Sequence, residues 1–208
     1  MIEIIQILSF FIIFTSSLLV PINIFSKYNN LKNLDVLDKG SFNLAINLNI
    51  LLFVSFLKFP LDTIKPILLI IYLLMLIYNY FFKLKELKDF LFSILSFFII
   101  FTILSINIAS ELYLGWDAKF FYYIKSLFFF ENLTIYNLNQ FSENIWHPYL
   151  GSYLWGFFWS MSPLETEYIG RLFYLFIFSF SFFYITKVST NNILNIFLFI
   201  FLTVIFYE

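Results

Sequence analysis

The chain predicts an all-α, polytopic transmembrane helical bundle of six to seven spans, with an extracytoplasmic loop that carries interfacial helices. Three observations lead there. Of its 208 residues, 62% are hydrophobic and only 12% charged, half the charged fraction of an ordinary soluble domain. The mean hydropathy is +0.89. Apolar runs long enough to cross a hydrocarbon core of about 30 Å recur along the chain, separated by short polar stretches.

Residues 4–25 form the first run, apolar apart from Gln6, Asn23 and a few hydroxyls. Glu3 precedes it and the first basic residue is Lys27, the reverse of a cleaved signal peptide, so the run reads as a retained span. Pro21 removes a backbone bond and is expected to kink it. A loop with Lys27, Lys32, Asp35, Asp38 and Lys39 follows, and residues 42–59 make the second run. Its Asn43 and Asn47 share a face, which suits hydrogen bonds to a neighbouring helix. Pro60 and Pro66 bracket a tight hairpin before the third run at 67–82. A loop with Lys83, Lys85 and Lys88 leads to the fourth run at 90–109.

The two Lys clusters lie two spans apart, hence on one side, and the positive-inside rule makes that side cytoplasmic. The stretch after Ala109 is then extracytoplasmic. All four Trp, half of the Tyr, the single His (His147) and the single Arg (Arg171) fall between Glu111 and Arg171, the interfacial composition of a functional segment. Residues 116–131 read as an aromatic helix too charged to cross and suited to the membrane surface. Residues 132–146 are an Asn-rich loop, in which Asn132-Leu133-Thr134 fits a glycosylation acceptor. The run at 148–161 is short for a crossing and is either a span or a re-entrant helix. The charge rule favours the second, since residues 168–186 then run inward, Lys187 lies in the cytoplasm, and a last run from Ile193 returns Glu208 to the outside. The chain is thus a single transmembrane domain: four spans in 1–110, an extracytoplasmic loop in 111–171 and two further spans in 172–208. Because it stops at the end of an apolar run, it is expected to be incomplete at its carboxy terminus.

The net charge of −1 and the lack of a basic block exclude nucleic acid as a partner. With no Cys and one His, neither disulfides nor a zinc site is expected, and the residues call for no cofactor. There is no glycine-rich phosphate loop and no nucleophile elbow. The candidate chemistry lies in Trp116-Asp117, then Trp146-His147-Pro148-Tyr149, then Gly170-Arg171. A carboxylate at the start of an interfacial helix is placed to take a proton from an acceptor hydroxyl, while cations hold a departing phosphate. Lys119, Lys125, His147 and Arg171 are the cations at hand. On an ideal helix Lys125 lies roughly 80° from Asp117 and Lys119 about 200° away, so Lys125 is the expected neighbour. Competing readings are a helix cap for Asp117, an interfacial polar residue for His147, a snorkelling anchor for Arg171 and a chain end for Glu208.

This order of features resembles the amino-terminal half of the GT-C membrane glycosyltransferases. The residues that carry it are Trp116-Asp117-Ala118-Lys119, His147-Pro148-Tyr149-Leu150-Gly151 and Gly170-Arg171-Leu172. The likeness is nearest to bacterial lipid-linked-sugar transferases, the RgtA/B/C/D-like and protein-mannosyltransferase-like proteins, and covers Glu111 to Glu208. Some branches carry two adjacent acids where this chain has Asp117-Ala118, and the proline-rich continuation after His-Pro is here Tyr149-Leu150-Gly151. The resemblance implies a multi-pass protein of the bacterial inner (cytoplasmic) membrane. It implies transfer of a sugar from a polyprenyl-phosphate donor to a glycan, lipid or protein hydroxyl outside the cytoplasm. Asp117 would be the general base and Glu208 a second catalytic acid. Lys125, His147 and Arg171 would hold the phosphate, with Trp116 and Tyr149 lining the substrate site. The competing classes are a transporter or flippase component, and a non-catalytic subunit or remnant of a polysaccharide assembly system.

Overall fold

A computed structural model describes residues 2–20, 34–110, 113–138, 148–162, 164, 166–187 and 192–205, and every regular element among them is helical. The order is α1 (Ile2–Leu19), α2 (Val36–Ser55), α3 (Leu61–Phe82), α4 (Leu84–Ser110), a π-helix (Ala118–Tyr123), α5 (Ile124–Phe130), α6 (Leu150–Ser160), α7 (Tyr168–Thr186) and α8 (Asn192–Ile205). Among the described residues three helices are long and apolar enough to cross a membrane: Leu61–Phe82, Leu87–Ile106 within α4, and Tyr168–Thr186. The apolar stretches Ile5–Leu19 and Ile193–Thr203 are shorter. Pro21 and its expected kink lie outside the described residues.

Helix boundaries differ from expectation at one proline and one lysine. α3 begins at Leu61, so Pro66 is inside it rather than in the hairpin. Pro66 is the sixth residue of α3, beyond the four N–H groups that lack an intrahelical partner, so it forgoes the intrahelical bond to the Asp62 carbonyl. The Asp62 N–H is taken up by Asn132 Oδ1 at 2.9 Å. Between α3 and α4 only Lys83 leaves the helical conformation, at φ −137° and ψ 32°, so the expected Lys-rich loop is mostly the first turn of α4. Asp35 opens α2 with a capping box closed by Asp38.

Close approach of backbones defines the packing. A Cβ on Gly40 would stand 2.6 Å from the Leu19 carbonyl oxygen, which lets α2 lie against the end of α1. There Asn43 donates to the Val20 carbonyl at 2.7 Å and Asn47 donates to Asn43 Oδ1 at 3.1 Å. The amides therefore bond across helices, as their spacing predicts. α7 is central. It packs against α4, α6 and α8, and Phe176 meets Phe11 and Phe101, each with ring centroids 6.1 Å apart. Between α6 and α7 a Cβ on Gly170 would fall 1.9 Å from Trp155 Cδ1. Between α5 and α6 one on Gly156 would fall 2.7 Å from the Ser126 carbonyl.

Polar contacts mark two ends of the bundle. At one end the start of α2 meets the end of α7: Lys187 pairs with Asp35, and Tyr184 donates to Asp38 Oδ1 at 2.7 Å. At the other, Tyr149 before α6 meets Ser55 at the end of α2, at 3.2 Å, and Lys65 near the start of α3 donates to the Ser160 carbonyl, the last residue of α6, at 3.3 Å. Both ends of α6 thus sit beside the α2–α3 turn. Eleven residues reach about 16 Å, half of a hydrocarbon core.

Candidate functional site

The candidate site is built on the segment that enters α5. Helical winding is under way at Gly115, whose carbonyl accepts from the Lys119 N–H at 2.9 Å. Asp117 has φ −61° and ψ −43° and makes no side-chain cap hydrogen bond, so it does not act as the N-cap that its position suggested. Its side chain is exposed, and among the described residues it has no hydrogen bond or ion pair. The next six residues form the π-helix, none of them buried. Such i→i+5 winding is rare and is found frequently at functional sites.

Around this turn the aromatic residues divide into an exposed and a buried set. Trp116 is 64% exposed and meets Phe120 and Phe121 with centroids 5.4 and 5.2 Å apart. Tyr123 stacks at 5.8 Å on Trp159, which in turn stacks at 4.3 Å on Phe130. This ladder fixes the segment on α6. Tyr113, Leu114, Lys119, Phe120, Tyr123 and Ile124 line an open groove of about 380 Å³. Lys119 is exposed, with Nζ 5.8 Å from the Phe120 centroid.

The remaining expected residues lie elsewhere. Lys125 is 2% exposed, in the contact between α5 and α6, and burial pulls its ammonium below the usual lysine range. The angle that favoured it assumed uniform α winding, and the π turns before it change that spacing. Arg171 is half-buried and forked onto Glu167 one turn earlier, Nε to Oε1 at 2.9 Å and Nη2 to Oε2 at 2.7 Å. Tyr149 is a strut between α6 and α2, its hydroxyl on Ser55 and its ring 6.1 Å from Phe56. His147 and Glu208 lie outside the described residues. Asn132, the possible glycosylation acceptor, gives its amide to Asp62 Oδ2 and holds φ 66°. Its nitrogen is a structural donor.

The structure therefore leaves Trp116, Asp117 and Lys119 exposed along one aromatic segment, while Lys125 is buried, Tyr149 packs against α2 and Arg171 pairs with Glu167. Lys119 is the residue that sequence reasoning passed over. Among the described residues no group of three or more His, Asp or Glu could hold a metal ion. The chain matches no protein-family model, no curated protein and no solved structure.

Proposed function

We propose that this chain is a multi-pass membrane glycosyltransferase that moves a sugar from a polyprenyl-phosphate donor to an extracytoplasmic hydroxyl, with Asp117 as general base. The observation that carries the reading is the exposed Asp117 carboxylate, unused as a cap and without a described partner, at the opening of an aromatic π-helix. The acceptor hydroxyl gives its proton to Asp117 and its oxygen bonds to the anomeric carbon. The bond from that carbon to the phosphate oxygen breaks, and polyprenyl phosphate leaves with the electron pair. Inversion follows from attack opposite the leaving group.

The bundle geometry supports a topology to match. Lys187 pairs with Asp35 in the Lys-rich segment, which the positive-inside rule makes cytoplasmic. Both ends of α6 lie at the opposite end, so α6 is re-entrant, the π-helix and α5 are interfacial, and α1, α2, α3, α4, α7 and α8 are the crossing helices. Asp117 then faces the outside of the bacterial inner membrane.

The test is sugar transfer in membranes from a panel of polyprenyl-phosphate sugars, wild type against Asp117→Asn. The amide cannot take a proton at neutral pH, so turnover is expected to fall by about 10²–10⁴-fold. Turnover at the wild-type rate sinks the assignment. A second cleft favours a lipid-handling component without chemistry: about 410 Å³ between α4, α7 and α8, lined by Phe92, Ser96, Phe183, Lys187 and Asn195 among others. Under that reading no sugar moves and Asp117→Asn leaves lipid passage intact.

A further inference from the structure

Of the four cations that the sequence offers for the site, Lys119, Lys125 and Arg171 are among the described residues, and the structure separates them. Lys125 is enclosed between α5 and α6 at 2% exposure. Arg171 is forked onto Glu167 through three hydrogen bonds, so its charge is balanced and its Nε–Nη2 edge is occupied. Lys119 is exposed on the π-helix two residues after Asp117, and it lines the open groove of Tyr113, Leu114, Phe120, Tyr123 and Ile124.

We propose that Lys119 holds the phosphate of a lipid whose apolar chain lies along this groove. The inference rests on the transferase reading and names the residue that binds the donor's head. The described walls are aromatic and aliphatic, and among the described lining residues the one cation is Lys119. An amphiphile with a single anionic head matches that arrangement, because its chain covers the walls while its phosphate meets the ammonium. A free sugar phosphate leaves the walls wet and gains the charge contact alone. The ammonium is a compact charge with three donors on a flexible stem, so it can follow the phosphate as the bond to the sugar breaks. Asp117 handles the acceptor proton and Lys119 handles the leaving group.

The experiment uses the full chain in neutral-detergent micelles, with three probes in parallel: a polyprenyl monophosphate, phosphatidic acid and inorganic phosphate. Lys119→Gln and Lys119→Arg are compared with wild type and with Asp117→Asn. Both lysine variants change an exposed side chain, and unchanged thermal unfolding shows that each is folded. Polyprenyl phosphate is expected to bind wild type, to bind Lys119→Gln about tenfold more weakly, and to regain most of the affinity in Lys119→Arg. Asp117→Asn should bind at least as well as wild type while losing transfer. If Lys119→Gln binds the polyprenyl phosphate as wild type does, the assignment is overturned and the transferase reading stands on Asp117 alone. If wild type binds none of the polyprenyl probe, both fall. Equal losses for all three probes would make Lys119 a general anion contact and overturn the lipid-specific groove.

Discussion

The Asp35–Lys187 end of the bundle and the Asp117–Lys119 turn hold charges of the same kinds and use them differently. At the first, Asp35, Asp38, Tyr184 and Lys187 satisfy one another, tying the start of α2 to the end of α7. At the second, the Asp117 carboxylate just before the π-helix and the Lys119 ammonium on it are both exposed, and no residue of that helix is buried. Charges that close a packing contact explain themselves. Exposed charges on a segment that Tyr123 and Phe130 anchor to Trp159 of α6 close no such contact, and this difference makes the aromatic segment the candidate site.

The largest expected effects fall on opposite sides of that division. Asp117→Asn should reduce sugar transfer by about 10²–10⁴-fold and leave the unfolding temperature in detergent unchanged. Gly170→Ala should do the reverse in kind: its Cβ would meet both the Trp155 ring at 1.9 Å and the Trp155 carbonyl at 2.8 Å. Overpacking of that sort costs about 1–3 kcal/mol, here near the upper end. Gly115 is the control, since a Cβ there meets nothing within 4 Å. Equal destabilisation by Gly115→Ala and Gly170→Ala, measured by thermal unfolding, would break the distinction between packed and exposed segments.

A smaller effect sharpens the same line. Tyr149→Phe removes the hydroxyl contact to Ser55 and keeps the ring, so it should cost about 1 kcal/mol of stability. If Tyr149 is a strut, the relative rates with different donors stay fixed. A changed donor preference with unchanged stability would move Tyr149 back into the substrate site.

Much of the fold was legible because hydropathy alone marks apolar helices: residues 168–186 were bounded as Tyr168–Thr186 is observed. The Asn43 and Asn47 pairing was legible from a spacing of four. Boundaries at Pro66 and Lys83 were not, since a proline reads as a breaker wherever it stands, yet α3 carries Pro66 as its sixth residue. The π winding carries no periodic signature, and the angle drawn from Asp117 held no information on burial, which encloses Lys125 and leaves Lys119 exposed. The Glu167–Arg171 pair was readable from its spacing of four on a helix. Asp35 and Lys187 are 152 residues apart, and nothing local in either segment announces the other.

That last pair gives the smallest and most diagnostic prediction. The Lys187 hydrogen bond, with help from the Val36 N–H and against the cost of burial, holds the Asp35 carboxyl below its usual range. A carboxyl depressed in the folded state is stabilising above its unfolded pKa of about 4, and that contribution is lost as pH falls through the lower folded value. The partners are 55% and 35% exposed, so solvent screening keeps the pair below about 1 kcal/mol. Wild type should therefore lose a little more stability than Lys187→Gln between pH 5 and 3, about, and the two should converge at the acid end. High salt should narrow the difference. Neither treatment should touch Asp117-dependent transfer at neutral pH. If Lys187→Gln instead lowers transfer as strongly as Asp117→Asn while the protein stays folded, the two ends are coupled, and the separation between a structural end and a chemical turn fails.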